Sequence, residues 1–363
     1  MIPYEDLKKA NALFMDELKV ACWSGIESGW YILGKRVEEF EQAFADYCHA
    51  QYCVGLASGL DALLLALQAS DIAPKSEVIV PSNTYIATIL AILNAGLKPV
   101  LVEPDLATYN IDPTLIEQHI TKSTRAIMVV HLYGKSCQMD KIMAIADQYN
   151  LLVFEDCAQS HGATFNDQMT GTFGLASAFS FYPTKNLGAL GDAGALVTNN
   201  EDIAQKVRTL RNYGSKVKYN NELLGINSRL DELQATMLQV KLKYLDQITA
   251  HKRLLARLYL THLDETKFIL PKVDSNFGDV YHIFCVRHPE RDRLRAYLLE
   301  NGIGTEIHYP IPPHRQIAMR PILGQLSFPI SEEIHQTALS LPISFGHTKD
   351  DVERVIETMN NFI

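Results

Sequence analysis

Apolar and polar residues in the first half of the chain form two alternating kinds of segment. Short apolar runs bounded by turn residues predict buried strands at Tyr52–Ala57, Glu77–Pro81, Pro99–Val102, Ala126–His131 and Leu151–Glu155. Segments with apolar residues every three or four positions predict helices at Arg36–Tyr47, Ser58–Ser70, Ile86–Ala95 and Asp140–Tyr149. Short buried strands joined by helices indicate a mostly parallel sheet that is covered on both faces.

The pattern changes in the second half of the chain. Two strand-like runs enclose a glycine-rich segment, a long helical stretch follows, and an α+β pattern begins near residue 264. The predicted strands are Ala178–Tyr182, Ala195–Thr198, Val280–Arg287 and Thr305–Tyr309, and the predicted helices are Asn227–Leu263, Arg291–Asn301 and Asp350–Phe362. We therefore predict a large α/β domain over residues 1–250 and a smaller α+β domain over residues 251–363.

Composition narrows the class of protein. The 363 residues are 47% hydrophobic and 21% charged, which excludes a disordered chain, a collagen and a coiled-coil rod. The formal net charge of −9 gives no basic footprint for nucleic acid. The six cysteines form no CxxC pair, so neither a disulfide scaffold nor a metal site is predicted.

The sequence also predicts neither a signal peptide nor a membrane span. The first thirteen residues mix acids and lysines and lack the apolar core of a signal peptide. The uncharged run Val78–Leu97 contains Pro81, Asn83 and Asn94, which favours a strand, a turn and a helix over a membrane span. We expect the protein to reside in the cytosol and not to bind a membrane.

Three short segments carry candidate chemistry. Ser58 and Gly59 lie where a strand gives way to a helix, and a helix N-terminus offers free N–H groups to an anion. Asp156 ends a parallel strand, where open α/β sheets bind ligands. Lys185 follows an aromatic strand on a turn between Pro183 and Gly188.

Each feature alone is typical of ordinary structure: a capped helix, a surface acid and a solvated lysine. Together and in this order they are the groups needed to hold pyridoxal 5′-phosphate. The helix N-terminus would take the phosphate, the aspartate would face the pyridinium nitrogen, and a desolvated lysine would react with the aldehyde.

Longer motifs in the same regions resemble the DegT/DnrJ/EryC1/StrS family of sugar aminotransferases. The resemblance runs from Tyr31-Ile-Leu-Gly34 to His308-Tyr309-Pro310. Its most specific motifs are Glu155-Asp-Cys-Ala-Gln159, Ser180-Phe-Tyr-Pro-Thr-Lys-Asn-Leu-Gly188, Gly191-Asp192 and Gly225-Ile-Asn-Ser-Arg-Leu-Asp-Glu-Leu-Gln234. It implies the aspartate-aminotransferase-like fold (fold type I) and pyridoxal 5′-phosphate, which cycles through pyridoxamine 5′-phosphate.

The resemblance also assigns roles to individual residues. Lys185 and Asp156 would be catalytic, as the Schiff-base lysine and the partner of the ring nitrogen. The other cofactor-binding residues would be Ser58, Gly59, Leu60, Tyr85, Gln159, Ser180 and Asn227, with Asn227 reaching the phosphate of a neighbouring subunit. The substrate-binding residues would be Tyr182, His308, Tyr309, His314, Lys216, Lys218 and Tyr219.

Two positions depart from the family pattern: many members have threonine at the position of Leu60, and phenylalanine or tryptophan at that of Tyr85. Neither change removes the expected contact, because Leu60 would bind through its backbone N–H and Tyr85 through its ring.

The resemblance implies a homodimeric enzyme with shared active sites that transfers the amino group of L-glutamate to a keto sugar on a nucleotide. The segments near Ser58 and His308 resemble members that act at C-3 of dTDP-3-keto-6-deoxyhexoses. Transfer to C-4 of a UDP- or dTDP-linked 4-keto sugar stays open, as do the gluco or galacto epimer and the use in lipopolysaccharide, S-layer glycan or antibiotic sugars. Readings from other classes are a pyridoxal-phosphate sugar dehydratase, against which Lys185 argues, and a non-catalytic regulator.

Overall fold

The computed structural model describes all residues, 1–363. Its helices are α1 (Leu7–Ala10), α2 (Met15–Glu27), α3 (Lys35–Cys48), α4 (Gly59–Ala69), α5 (Ile86–Asn94), α6 (Met139–Tyr149), α7 (Glu201–Leu210), α8 (Glu232–Leu242), α9 (Leu245–His262), α10 (Arg291–Glu300), α11 (Arg320–Leu323), α12 (Pro329–Thr337) and α13 (Lys349–Asn360). Its strands are β1 (Tyr52–Leu56), β2 (Glu77–Pro81), β3 (Lys98–Val102), β4 (Thr124–Val130), β5 (Leu152–Asp156), β6 (Thr164–Phe165), β7 (Gln168–Met169), β8 (Ala176–Ser180), β9 (Gly194–Thr198), β10 (Ser215–Val217), β11 (Asn220–Asn221), β12 (Phe277–Gly278), β13 (Phe284–Arg287) and β14 (Ala338–Leu341).

A seven-stranded sheet forms the centre of the molecule, in the order β1-β9-β8-β5-β4-β2-β3. Strand β9 pairs antiparallel with both β1 and β8, and the other neighbouring pairs are parallel. The predicted mostly parallel, mixed sheet is confirmed. Because the parallel strands share one direction, their carboxyl ends, including that of Asp156 in β5, meet at one edge.

Apolar side chains cover both faces of this sheet. Helices α4, α5 and α7 pack on one face through residues such as Leu65, Ile89 and Val207. Helices α3 and α6 cover the other face through residues such as Phe44 and Ile142. Strands buried on both faces have to be apolar along their length, which is why the short apolar runs predicted strands correctly.

The prediction of helix from Asn227 to Leu263 was wrong in its start and in its continuity. Helix begins only at Glu232, and the stretch breaks between α8 and α9. The first residues are instead extended, because Asn227 and Asp231 form isolated bridges with Asn212 and Ile32. Local periodicity predicts the apolar face of a helix, whereas these bridges depend on residues far away in sequence.

A second layer of structure is built around β13 and β14, which pair antiparallel. Its apolar core joins α9, α10 and α13 through residues such as Tyr259, Leu298 and Met359. The strand predicted at Thr305–Tyr309 was wrong, because only Glu306 forms a bridge there, to Ser340 of β14. Strand β14 itself was not predicted.

Helix α9 contributes to two cores. Ile248 near its start packs with Phe14 and Met237, and Leu255 and Tyr259 further along pack in the C-terminal core. No helix is long and apolar enough to cross a membrane. The uncharged run at 78–97 forms β2, a turn and α5, as predicted.

Candidate active site

A cavity of about 420 Å³ lies at the carboxyl edge of the sheet, between the large sheet and the C-terminal segment. Its walls come from seven separate segments of the chain. The predicted site residues among its lining are Ser58, Gly59, Leu60, Tyr85, Asp156, Gln159, Ser180, Tyr182, Lys185, His308 and Tyr309. The structure therefore brings both predicted catalytic residues and most predicted cofactor residues into one space.

Lys185 sits on a tight turn after β8. The strand ends at Ser180, two residues earlier than predicted, and the Lys185 N–H donates to the carbonyl of Tyr182 at 2.8 Å. A Cβ at Gly188 would lie 2.3 Å from the carbonyl oxygen of Pro183, so this turn closes only with glycine there. Burial lowers the pKa of Lys185 to about 8, and the nearby Asp156 partly opposes that shift.

Asp156 is buried at the end of β5. Its Oδ2 accepts a hydrogen bond from the Thr88 hydroxyl at 2.8 Å, and its Oδ1 accepts one from the Ala158 N–H at 3.1 Å. Burial raises the pKa of the carboxyl, and these hydrogen bonds and Lys185 only partly oppose that effect. No cation of the chain lies within ion-pair distance, so the carboxylate is suited to a cationic N–H group inside the cavity.

Helix α4 begins at the cavity, which Ser58, Gly59 and Leu60 all line. Ser58 is the N-cap, and its hydroxyl oxygen accepts a hydrogen bond from the Asp61 N–H at 3.1 Å. The first N–H groups of a helix have no partner within it, which leaves those of Gly59 and Leu60 for an anion. A Cβ at Gly59 would lie 2.8 Å from Cβ of Ser180, so only glycine lets the helix approach this closely.

Polar and aromatic groups form the remaining wall. The rings of Tyr85 and Tyr309 lie 4.9 Å apart, and Nε2 of Gln159 donates to the Tyr309 hydroxyl at 3.0 Å. Oε1 of Gln159 accepts from the Tyr133 N–H at 2.6 Å, which fixes the amide at the cavity. Burial lowers the pKa of His308 to about 4, so its imidazole is neutral at physiological pH.

Two groups of predicted residues lie outside the cavity. His314 does not line the cavity, because its fully buried ring contacts Glu332 at 2.9 Å and packs on Phe328. Lys216, Lys218 and Tyr219 are exposed on the β10–β11 hairpin, and the exposed Asn227 is likewise absent from this cavity's lining.

The structure adds residues that the sequence reasoning missed. His282 lines the cavity, its Nδ1 is buried without a hydrogen-bond partner, and burial holds its pKa well below the usual range. Thr88 donates a hydrogen bond to Asp156 from the first turn of α5. Neither residue belongs to a local pattern, since each meets the site only through long-range packing.

This donor set fits pyridoxal 5′-phosphate. A buried carboxylate without a cation, a lysine amine of lowered pKa, and a helix N-terminus lined by Gly59 and Ser180 face one cavity. They match in turn the ring nitrogen, the aldehyde and the phosphate. Glu155, beside Asp156, serves the structure instead: its carboxylate accepts hydrogen bonds from His131 and from three backbone N–H groups of residues 171–174.

Comparisons with known proteins agree with this geometry. The sequence model of the DegT/DnrJ/EryC1/StrS aminotransferase family matches residues 15–360. The chain is 54% identical over 362 residues to a dTDP-3-amino-3,6-dideoxy-alpha-D-galactopyranose transaminase of Aneurinibacillus thermoaerophilus, covering 100% of this chain and 99% of that protein. It is 43% identical over 365 residues to a dTDP-3-amino-3,4,6-trideoxy-alpha-D-glucose transaminase of Streptomyces venezuelae, covering 99% and 96%. A crystal structure of NtdA from Bacillus subtilis with the bound cofactor PMP superposes with a TM-score of 0.92 at 30% identity, covering 99% of this chain and 84% of that one.

Proposed function

The chain belongs to the DegT/DnrJ/EryC1/StrS aminotransferase family, and from this we propose that it moves the amino group of L-glutamate to a keto sugar carried by dTDP. The acceptor is the C-3 ketone of a dTDP-3-keto-6-deoxyhexose of gluco or galacto configuration, and the product is the dTDP-3-amino-3,6-dideoxyhexose. The relatives from A. thermoaerophilus and S. venezuelae, both described as dTDP-3-amino sugar transaminases, support this choice of carbon and nucleotide.

One observation carries the proposal: Lys185, Asp156 and the N-terminus of α4 line the same cavity. Pyridoxal phosphate bound there would supply an electron sink next to the carbon that carries the nitrogen. Asp156 would hold the proton on the ring nitrogen of the cofactor. Lys185 Nζ would then take the proton from the substrate carbon and return it, a role for which a pKa of about 8 is well matched.

We also propose that the enzyme is a homodimer with shared active sites. Large apolar side chains are exposed at six positions between residues 20 and 32, among them Val20, Trp23 and Trp30 at 71%, 63% and 63%, and this concentration supports contact with a partner. Asn227 lies outside the cavity of its own chain and would contact the cofactor of the neighbouring subunit. The basic β10–β11 hairpin would approach the diphosphate of the nucleotide.

Light scattering tests the proposed dimer. It should give twice the mass of one chain, and Trp23→Asp should shift that mass toward the monomer.

The six cysteines are free in the structure, which supports a reducing compartment such as the cytosol.

A panel of acceptors tests the proposed reaction. Glutamate is incubated with the enzyme and with the C-3 or C-4 ketones of dTDP- and UDP-6-deoxyhexoses, and released 2-oxoglutarate is measured. We expect release with the dTDP-linked C-3 ketones and a loss of turnover in Lys185→Ala. Faster release with a C-4 ketone would move the reaction to that carbon, and sugar conversion without 2-oxoglutarate would indicate a dehydratase.

A further inference from the structure

Two buried lysines, Lys252 and Lys241, form hydrogen bonds to the turn that carries Lys185. Lys252 of α9 is 4% exposed, and its Nζ donates to Oδ1 of Asn186 at 2.8 Å and to the His282 carbonyl at 3.1 Å. Asn186, the neighbour of Lys185, in turn donates from Nδ2 to the carbonyl of Val280 at 3.1 Å. One ammonium therefore ties the turn to the cavity wall on the C-terminal side.

Lys241 binds the same turn two residues further along, at Gly188. This α8 residue is 5% exposed, and its Nζ donates to the carbonyl of Gly188 at 2.5 Å. Lys241 and Lys252 thus bind Gly188 and Asn186, which follow Lys185 by three positions and by one position.

Neither lysine has a carboxylate within 4.0 Å, although both are buried. The acid that faces them is Glu5 of the N-terminal segment, across a water-sized cavity of about 40 Å³ that the turn also lines. Burial lowers the pKa of each lysine to about 8. An apolar side chain would fill such positions with less desolvation, so packing alone does not account for two ammonium groups there.

We infer that Lys241 and Lys252 are positioning residues that fix the turn and thereby set where the Lys185 amine lies in the cavity. The inference rests on the proposed function, because it assigns them to the service of a reactive Lys185. A catalytic group displaced by about 1 Å loses on the order of 100-fold in rate. The two lysines act through backbone and amide acceptors, without touching substrate or cofactor.

The test compares Lys252→Met and Lys241→Met with Lys252→Arg, which keeps a charged donor. Lys206→Met is the control, since the half-buried Lys206 of α7 also donates to a backbone carbonyl, that of Ala69 at 3.1 Å, and has no hydrogen bond to the turn. Hydrogen exchange of residues 182–189 is followed in the cofactor-free protein, and kcat and KM are followed in the loaded enzyme.

We expect exchange in 182–189 to rise at least about tenfold in the two methionine variants and kcat to fall about 10- to 100-fold. The KM for glutamate should stay within about threefold, and Lys252→Arg should recover most of the lost kcat. Lys206→Met should leave exchange in the turn unchanged.

Unchanged exchange and kcat in both methionine variants would overturn the inference, as would an equal loss of kcat in Lys206→Met. If Lys252→Met does not fold, Asn186→Ala removes the acceptor while leaving the lysine, and it should show the same exchange and kcat changes. The hydrogen exchange is measured without cofactor or substrate, so it does not depend on the reaction. If the wild-type enzyme failed to aminate sugars, the proposed function would be overturned, but the effect of the lysines on the turn would still be measured.

Discussion

Replacing Lys185 with methionine should stabilise the cofactor-free protein, even though it removes the central reactive group. The amine lies in the cavity, and burial lowers its pKa from 10.5 to about 8. At about 1.4 kcal/mol per pKa unit, holding the charged side chain there destabilises the folded state by up to about 3 kcal/mol at pH 7. Lys185→Met keeps the length of the side chain without the charge, so it should raise the free energy of unfolding by up to that amount.

The pH dependence gives the reasoning a second check. Between pH 8 and pH 10.5 the folded wild type has lost the Lys185 proton while the unfolded chain still holds it. The unfolded state then binds more protons, so the wild type gains stability as pH rises. The advantage of Lys185→Met should therefore shrink to about 2 kcal/mol at pH 9 and about 1 kcal/mol at pH 10.

Urea unfolding of both proteins, freed of cofactor and at one concentration, measures this difference at pH 7, 9 and 10. Lys135→Met serves as the control of opposite sign, because it leaves Asp279 buried without its ion-pair partner and should destabilise by about 3 kcal/mol. A Lys185→Met protein that is less stable than wild type at pH 7, or a difference independent of pH, would refute the reasoning.

Substitutions at three further positions test the site and the residues that support it. Glu232→Gln should lower the free energy of unfolding by about 2 kcal/mol in urea titrations. The Glu232 carboxylate accepts hydrogen bonds from N–H groups at the start of α3, including those of Gly34 and Val37 at 2.7 and 3.0 Å. An unchanged urea midpoint would contradict this. Asp156→Asn should reduce turnover at least about 100-fold in the glutamate assay, and a loss below tenfold would remove Asp156 from the reaction. Tyr85→Phe should keep turnover within about threefold, because the ring contact is retained, whereas Tyr85→Ala should raise the KM for substrate about tenfold; equal effects of the two would assign the role to the hydroxyl.

Much of the central fold could be predicted because its signals are local. The apolar runs at β2 and β5 and the Ser58 cap of α4 each lie within a few residues of the structure they specify. The same holds for the helix end predicted to bind an anion, the strand-end Asp156 and the constrained Lys185, which the structure brings into one cavity.

The remaining features depend on contacts between distant segments. Strand β14 pairs with β13 from more than fifty residues away, and the sequence near Thr305 alternates like a strand without finding a full partner. His314 shares a motif with His308, but its ring turns inward to Glu332. The division between domains at residue 250 falls within the continuous helix α9 and stays a prediction.

Transfer of a labelled nitrogen tests the central claim most directly. The enzyme is incubated with glutamate labelled with ¹⁵N at its amino group and with a dTDP-3-keto-6-deoxyhexose, and the product is examined by heteronuclear NMR. The account predicts ¹⁵N bonded to C-3 of the sugar, with none transferred by Lys185→Ala. If a 4-keto acceptor is supplied as well, preferential labelling of its C-4 would contradict the account. So would the absence of label from any sugar although the cofactor is bound.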